Sequence, residues 1–356
     1  MVRLKVRLFR KLGWLFAGIL AVVLTASAGG TPINSGWRLV KQMASGTFPV
    51  DHIDGGIGGP AVDIRPPRLY DMFFADDLNG WVVGEAGLIA HTRDGGESWT
   101  EQFLNPLDNL KALCFVNPQR GWAVGHRAIK GNRGVVLKTD DGGGTWRELY
   151  VDNRFRLSWF SGVWFVTDRL GWAVGEAEQR DGAHGAVILC TQDGGKEWQV
   201  QYFDRSISFS LDSVKFLDER NGWATGANAI LHTTDGGSHW YRRRDSSSSV
   251  FDAVNPLGAW VAGGRNLLLH TANGGKQWKS VSIPFEQRIL RLVYIKFAGS
   301  EGWVMAVDGT IFHTRNGGES WEWDLPNIDE DIQGGFATSQ SFLGFTEEGA
   351  IFRKDR

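Results

Sequence analysis

Beyond residue 28, apolar residues gather in short runs closed by Gly, Asp or Asn, as in Gly80-Trp81-Val82-Val83-Gly84 and Leu88-Ile89-Ala90-His91-Thr92. No stretch holds apolar positions three and four apart long enough for an amphipathic helix, so the pattern predicts β-strands separated by turns. The runs also repeat. Six times the chain writes Thr, any residue, Asp or Asn, Gly, Gly, two residues, Trp, from Thr92–Trp99 to Thr314–Trp321, on average about 44 residues apart. Upstream of each box lies Gly-Trp, or Ala259-Trp260 in the fifth copy, with small and β-branched residues, ending in Gly in most copies, such as Gly121-Trp122-Ala123-Val124-Gly125 and Gly171-Trp172-Ala173-Val174-Gly175. A strand-like segment opens each unit, as at Tyr70–Phe74, Leu113–Val116, Val163–Val166 and Val214–Leu217.

Three or four short strands at this period are one blade of a β-propeller, whereas solenoid repeats are shorter or need helices. After the sixth box the chain begins a seventh unit, with strand-like segments at 336–338, 342–345 and 349–353, and stops before its Trp-bearing strand. That strand is present at the other end, as Ser35-Gly36-Trp37-Arg38-Leu39-Val40. The expectation is an all-β, seven-bladed propeller over 35–356 built from Asp-box (BNR-like) repeats, its last blade closed by the N-terminal strand so that the terminal edges pair. Six blades is the alternative. Residues 41–68 read as a long Gly-rich loop, a lid or a linker.

Composition fits this reading. The chain has 47 Gly and 17 Trp in 356 residues, and 42% of it is hydrophobic, enough for a packed core and too apolar for a disordered Gly-rich chain. Twelve of the 17 Trp fall at the two repeated positions. Five basic residues and no acidic one lie in residues 1–28, so the remainder is acidic, which argues against nucleic-acid binding. That segment has a basic start, an apolar run from Leu12 to Leu24 and a small-residue pattern Ala26-Ser27-Ala28. It reads as a signal peptide, 1–28, and is short for a membrane span. The expected location is the periplasm, or the thylakoid lumen in a cyanobacterium, with an uncleaved anchor as the alternative.

The box residues Asp94, Asp141, Asp193, Asp235, Asn273 and Asn316 place a side-chain oxygen where it can accept backbone N–H bonds of the turn, and the Gly pair supplies positive φ. Asn serves as well as Asp because only an acceptor is needed. The closing Trp99, Trp146, Trp198, Trp240, Trp278 and Trp321 are expected in the seams between blades. A calcium role is disfavoured, because the carboxylates come one per blade and outside any calcium-loop spacing. His91, His232, His270 and His313 share one repeat position, with Lys138 and Cys190 in the other two copies, and so read as blade features rather than a converging metal site. Cys114 and Cys190 offer no zinc spacing, and their pairing stays open. No metal, cofactor or catalytic residue is expected.

The run Tyr70-Asp71-Met72-Phe73-Phe74, then Asn79 through Gly84, then His91 through Trp99, resembles the repeat of the Ycf48/HCF136-like family of photosystem II assembly and stability factors. The resemblance spans about residues 35–356. It implies a non-enzymatic scaffold that holds a membrane-protein precursor or assembly intermediate from the lumenal or periplasmic side. The alternatives are an accessory subunit of a periplasmic export or envelope complex, and a sialidase-like glycoside hydrolase, whose Asp box is shared. The sialidase signature before the first box is absent; Asp63-Ile64-Arg65-Pro66-Pro67-Arg68 lacks its order.

Function then belongs to the face opposite the boxes, formed by loops joining second and third strands and by connections between blades. Arginines collect there: Arg127 and Arg133, Arg154 and Arg156, Arg180, Arg205, Arg242, Arg243 and Arg244, Arg288 and Arg291. A guanidinium fork suits an acidic protein segment, and these residues are the candidate partner-binding set of a monomer with no small-molecule substrate.

Overall fold

The computed structural model describes residues 37–44, 47–48, 62–63, 66–128, 133–149, 156–178, 182–207, 210–226, 228–244, 248–283, 290–324, 328 and 330–356. The proposed signal peptide and most of the 41–68 loop lie outside the described residues. The propeller has seven four-stranded antiparallel sheets, and Thr47–Phe48 pairs with Val62–Asp63 in a further two-stranded one. Blades one to six are sequential up-and-down meanders. Blade one, for example, runs Leu69–Phe74, Gly80–Gly84, Leu88–Thr92 and Thr100–Phe103 from the centre outward. In blade seven, Ile332–Ala337, Ser341–Thr346 and Ala350–Asp355 are completed by Arg38–Gln42, with Arg38 opposite Arg353 and Gln42 opposite Ala350. Seven blades, not six, close the ring, and joining the two chain ends in one sheet leaves no terminal blade incomplete.

Each box is held by the same bonds. In blade two the Thr139 hydroxyl donates to Asp141 Oδ1 (2.8 Å) and accepts the Gly143 N–H (2.8 Å), while Asp141 Oδ1 accepts the Thr145 N–H (2.8 Å). Gly142 and Gly143 take φ of 73° and 88°, a region closed to most side chains. Asn273 and Asn316 accept the Gln277 and Ser320 N–H groups at 2.9 Å. Hydrogen bonds from the Thr145 N–H and hydroxyl hold the Asp141 carboxyl down at about 2.

The seams are aromatic. The buried Trp of each Gly-Trp pair reaches into the next blade. Trp122 stacks on Phe165 at 3.6 Å and its indole N–H donates to Gly194 O (3.1 Å), and Trp81 does the same with Phe115 and Gly142 O. The repeated histidines cap the other face of these rings: His91 lies on Trp81, His270 on Trp260 and His313 on Trp303. Lys138 sits over Trp122 in their place. Trp99, Trp198 and Trp321 are buried in the seams, and Trp146, Trp240 and Trp278 half-buried. In blade seven, Leu343 and Arg353 replace the Trp and His, and the Arg353 guanidinium donates to Gly95 O (2.5 Å) of blade one. Cys114 and Cys190 are separate buried thiols.

Candidate functional site

The inner strand of every blade is interrupted at one place. Pairing between first and second strands skips a residue at Tyr70, Lys111, Ser161, Asp212, Ser249, Val293 and Gln333, a β-bulge repeated seven times. A bulge re-aims a side chain. The glycine ending the Gly-Trp signature permits it in blades one and two: a Cβ on Gly84 would lie 2.2 Å from Arg68 O, and one on Gly125 1.9 Å from Asn109 O. The seven inner strands enclose a central channel of about 570 Å³, lined at its mouth by six of the seven bulge residues.

Three residues further along each inner strand, opposite the second-strand Trp or its replacement, lies a second ring of positions: Phe73, Cys114, Trp164, Lys215, Asp252, Lys296 and Phe336. This ring is divided. Blades one, three and seven contribute aromatic rings, with Phe73 6.4 Å from Trp164 and 5.8 Å from Phe336. Blades four to six contribute charges. Lys215 pairs with Asp252 Oδ1 and also donates to Ala253 O (3.2 Å); Lys296 lies 3.9 Å from the same Asp252 oxygen. The other oxygen accepts the Phe297 N–H (2.7 Å). Burial pulls the Lys215 ammonium below its ordinary value, against the opposing pull of Asp252.

Two more carboxylates line the channel, and both are occupied. Asp71 accepts the Met72 N–H (2.9 Å) and, from blade two, the Leu113 N–H (3.0 Å), while Asp212 accepts the Ser210 hydroxyl (3.0 Å). The Asp71 bonds satisfy N–H groups of inner strands, which are sheet edges. Burial pushes the Asp71 carboxyl up to about 7 and raises Asp212. At the mouth, the Lys111 ammonium sits 3.2 Å over the Tyr70 ring, burial lowering it to about 8, and Arg291 donates to Gln333 Oε1 (2.6 Å).

The arginines of the opposite face fall into distinct environments. Arg127 is clamped by Asp108 (2.7 and 3.0 Å) and Glu148 (2.9 Å), and Arg133 by Glu148 (2.5 Å), so this pair is neutralised within blade two. Arg242 bridges Ser206 Oγ (3.1 Å) and Asn228 O (3.0 Å). Arg243 packs its stem on the Gly275 turn of blade five and its guanidinium over Tyr241, which puts it in a seam. Arg205 and Arg244 are exposed. Arg156 opens the inner strand of blade three, and Arg154, Arg180 and Arg288 lie outside the described residues. The channel charges do not stand out in the repeat taken one blade at a time. The signal was available once the opening strands were aligned on their bulges, as Lys215, Asp252 and Lys296 where other blades carry aromatic rings or Cys. Among the described residues, no group of His, Cys, Asp and Glu could hold a metal ion, and no helix is long and apolar enough to cross a membrane.

Comparison with known proteins agrees with the repeat. The family described as photosynthesis system II assembly factor YCF48 matches residues 61–158, 158–249 and 245–353. The photosystem II assembly protein Ycf48 of Synechococcus sp. (strain JA-3-3Ab) is 32% identical over 106 residues, 28% of this chain and 30% of that protein's length. YCF48 from Cyanidioschyzon merolae superposes with a TM-score of 0.63 at 18% identity, covering 89% of this chain and 98% of that one. A structure of YCF48 bound to D1 peptide gives 0.62 at 18% identity over 81% and 92% of the two chains. Likenesses at this identity establish the seven-bladed fold.

Proposed function

The chain belongs to the photosystem II assembly factor Ycf48 family, and on that premise we propose that it is a non-catalytic scaffold, exported across the inner membrane, that holds a segment of a membrane-protein precursor or assembly intermediate. The observation that carries the reading is the family match along nearly the whole propeller, joined to a relative of the same fold that was solved with a D1 peptide bound. The repeated residues are taken up by structure: the boxes bond within their turns, and the histidines and Gly-Trp pairs pack within and between blades, which leaves the channel and the loop face opposite the boxes to meet a partner. On that face Arg205 and Arg244 are exposed to solvent where an acidic segment can reach them, with Arg154, Arg156, Arg180 and Arg288 as further members and Arg127, Arg133, Arg242 and Arg243 also held by contacts within the propeller.

The test is capture from detergent-solubilised native membranes on the immobilised full chain, beside a synthetic D1-type peptide. The expected result is retention of a membrane protein by the parent, and its loss at physiological salt after Arg205→Glu and Arg244→Glu together. Retention unchanged by that charge reversal would remove the loop-face assignment. Turnover of a chromogenic sialoside would overturn the non-catalytic reading.

A further inference from the structure

We propose that the central channel is a binding site for a monoanionic carboxylate bearing an aromatic or apolar group, the carboxylate beside Lys296 and Lys215 and the apolar group on Phe73, Trp164 and Phe336. Asp252 has one oxygen committed to the Phe297 N–H and the other facing two ammonium groups, Lys215 in contact and Lys296 at 3.9 Å. One carboxylate cannot neutralise two cations, so the trio carries a net positive charge in a place where water is scarce. The side chains of Asp252 and Lys215 are only 4% and 15% exposed, and Lys296 is 39% exposed, into the channel. A desolvated surplus of charge is stabilised by a counter-ion of opposite sign.

The remaining carboxylates do not supply it. Asp71 and Asp212 are bonded to backbone N–H groups and to Ser210, one ring nearer the mouth. Two further cations, Lys111 and Arg291, line the same mouth, so the path to the trio attracts anions.

The other half of the ring gives the ligand its second property. Phe73, Trp164 and Phe336 are half-buried and packed edge-on or tilted, and they line the channel beside the charged blades, with the Lys215 ammonium 5.7 Å from the centre of the Trp164 ring. An aromatic or branched apolar group laid there is removed from water while its carboxylate reaches the ammoniums. The volume, about 570 Å³, admits either a small aromatic acid or the last residues of an extended polypeptide. Both present the same chemistry.

Isothermal titration of the full chain at low salt distinguishes these sources with three probes: 3-phenylpropionate, an acetylated hexapeptide ending in Phe with a free carboxylate, and the same peptide as its C-terminal amide. The account expects the acids to bind and the amide to bind at least about tenfold more weakly, the loss of one charge-assisted contact. Tighter binding of the peptide acid assigns the channel to a chain end, and binding of phenylpropionate alone assigns it to a small acid. Lys296→Gln weakens the acids by a similar factor, Lys296→Arg restores them, and Trp164→Ala weakens acid and amide alike, each variant checked by its melting curve. Equal binding of acid and amide, no binding of either acid, or full affinity in Lys296→Gln overturns the proposal. Arg205→Glu with Arg244→Glu leaves probe binding unchanged, so the channel and loop-face assignments fail separately.

Discussion

The box rim and the channel ring are both repeats, yet they repeat different things. At the rim the backbone and the side chains recur together: Thr bonds Asp or Asn, two glycines take positive φ, and a Trp closes each of six turns. In the channel only the backbone recurs. Seven bulges at one register position present Tyr, Lys, Ser, Asp, Ser, Val and Gln, and the ring below them changes from aromatic to charged halfway round. Where chemistry is the same in six blades, it answers a need those blades share, which is closure of a turn and a seam. Where the scaffold repeats and the chemistry varies, the residues are free to answer to something outside the fold.

The largest effect should come from the seams. Trp122→Ala removes a fully buried ring and orphans Gly194 O, and should cost about 3–5 kcal/mol in urea unfolding. A loss below about 1 kcal/mol would mean that the seams do not hold the ring together. Next comes the box hydroxyl: Thr139→Val leaves the Gly143 N–H unbonded and should cost about 1–2 kcal/mol, with channel binding unchanged.

Asp71 sharpens the contrast from the channel side, because its strain is electrostatic. Its carboxyl is raised to about 7 from an ordinary 3.8, so the folded protein holds this proton more tightly than the unfolded chain does. The stability tied to the protonated form is full below about pH 4 and is lost as pH rises through 7. The parent should therefore lose roughly 2–5 °C of melting temperature between pH 4 and pH 8 that Asp71→Asn does not lose. Parallel curves for the two proteins would contradict the burial argument. The smallest effect is expected from Asp94→Asn, since Asn273 and Asn316 already serve in blades five and six. Its melting temperature at pH 7 should match the parent's within error.

The same contrast explains what could be read from the sequence. Boxes and Gly-Trp pairs are local, a turn or a strand long, so their spacing revealed the blade, the count of seven and the closing strand at Trp37. The bulges were invisible, although their cause was in plain view: the glycine at 125 is required by a carbonyl from Asn109, and that approach exists only after the strands pair. Arg127 and Arg133 looked like free loop charges because their partners, Asp108 and Glu148, stand on flanking strands of the same blade. Lys215, Asp252 and Lys296 are 37 and 44 positions apart and become one cluster only when the ring closes.

The central claim is that the rim builds the protein and the varied surfaces bind. It is tested most directly by partner capture from native membranes on three immobilised forms: the parent, Asp94→Asn, and Arg205→Glu with Arg244→Glu. The account predicts equal capture by the first two and loss in the third. Loss in Asp94→Asn with capture retained in the arginine variant would place recognition on the box rim and contradict it.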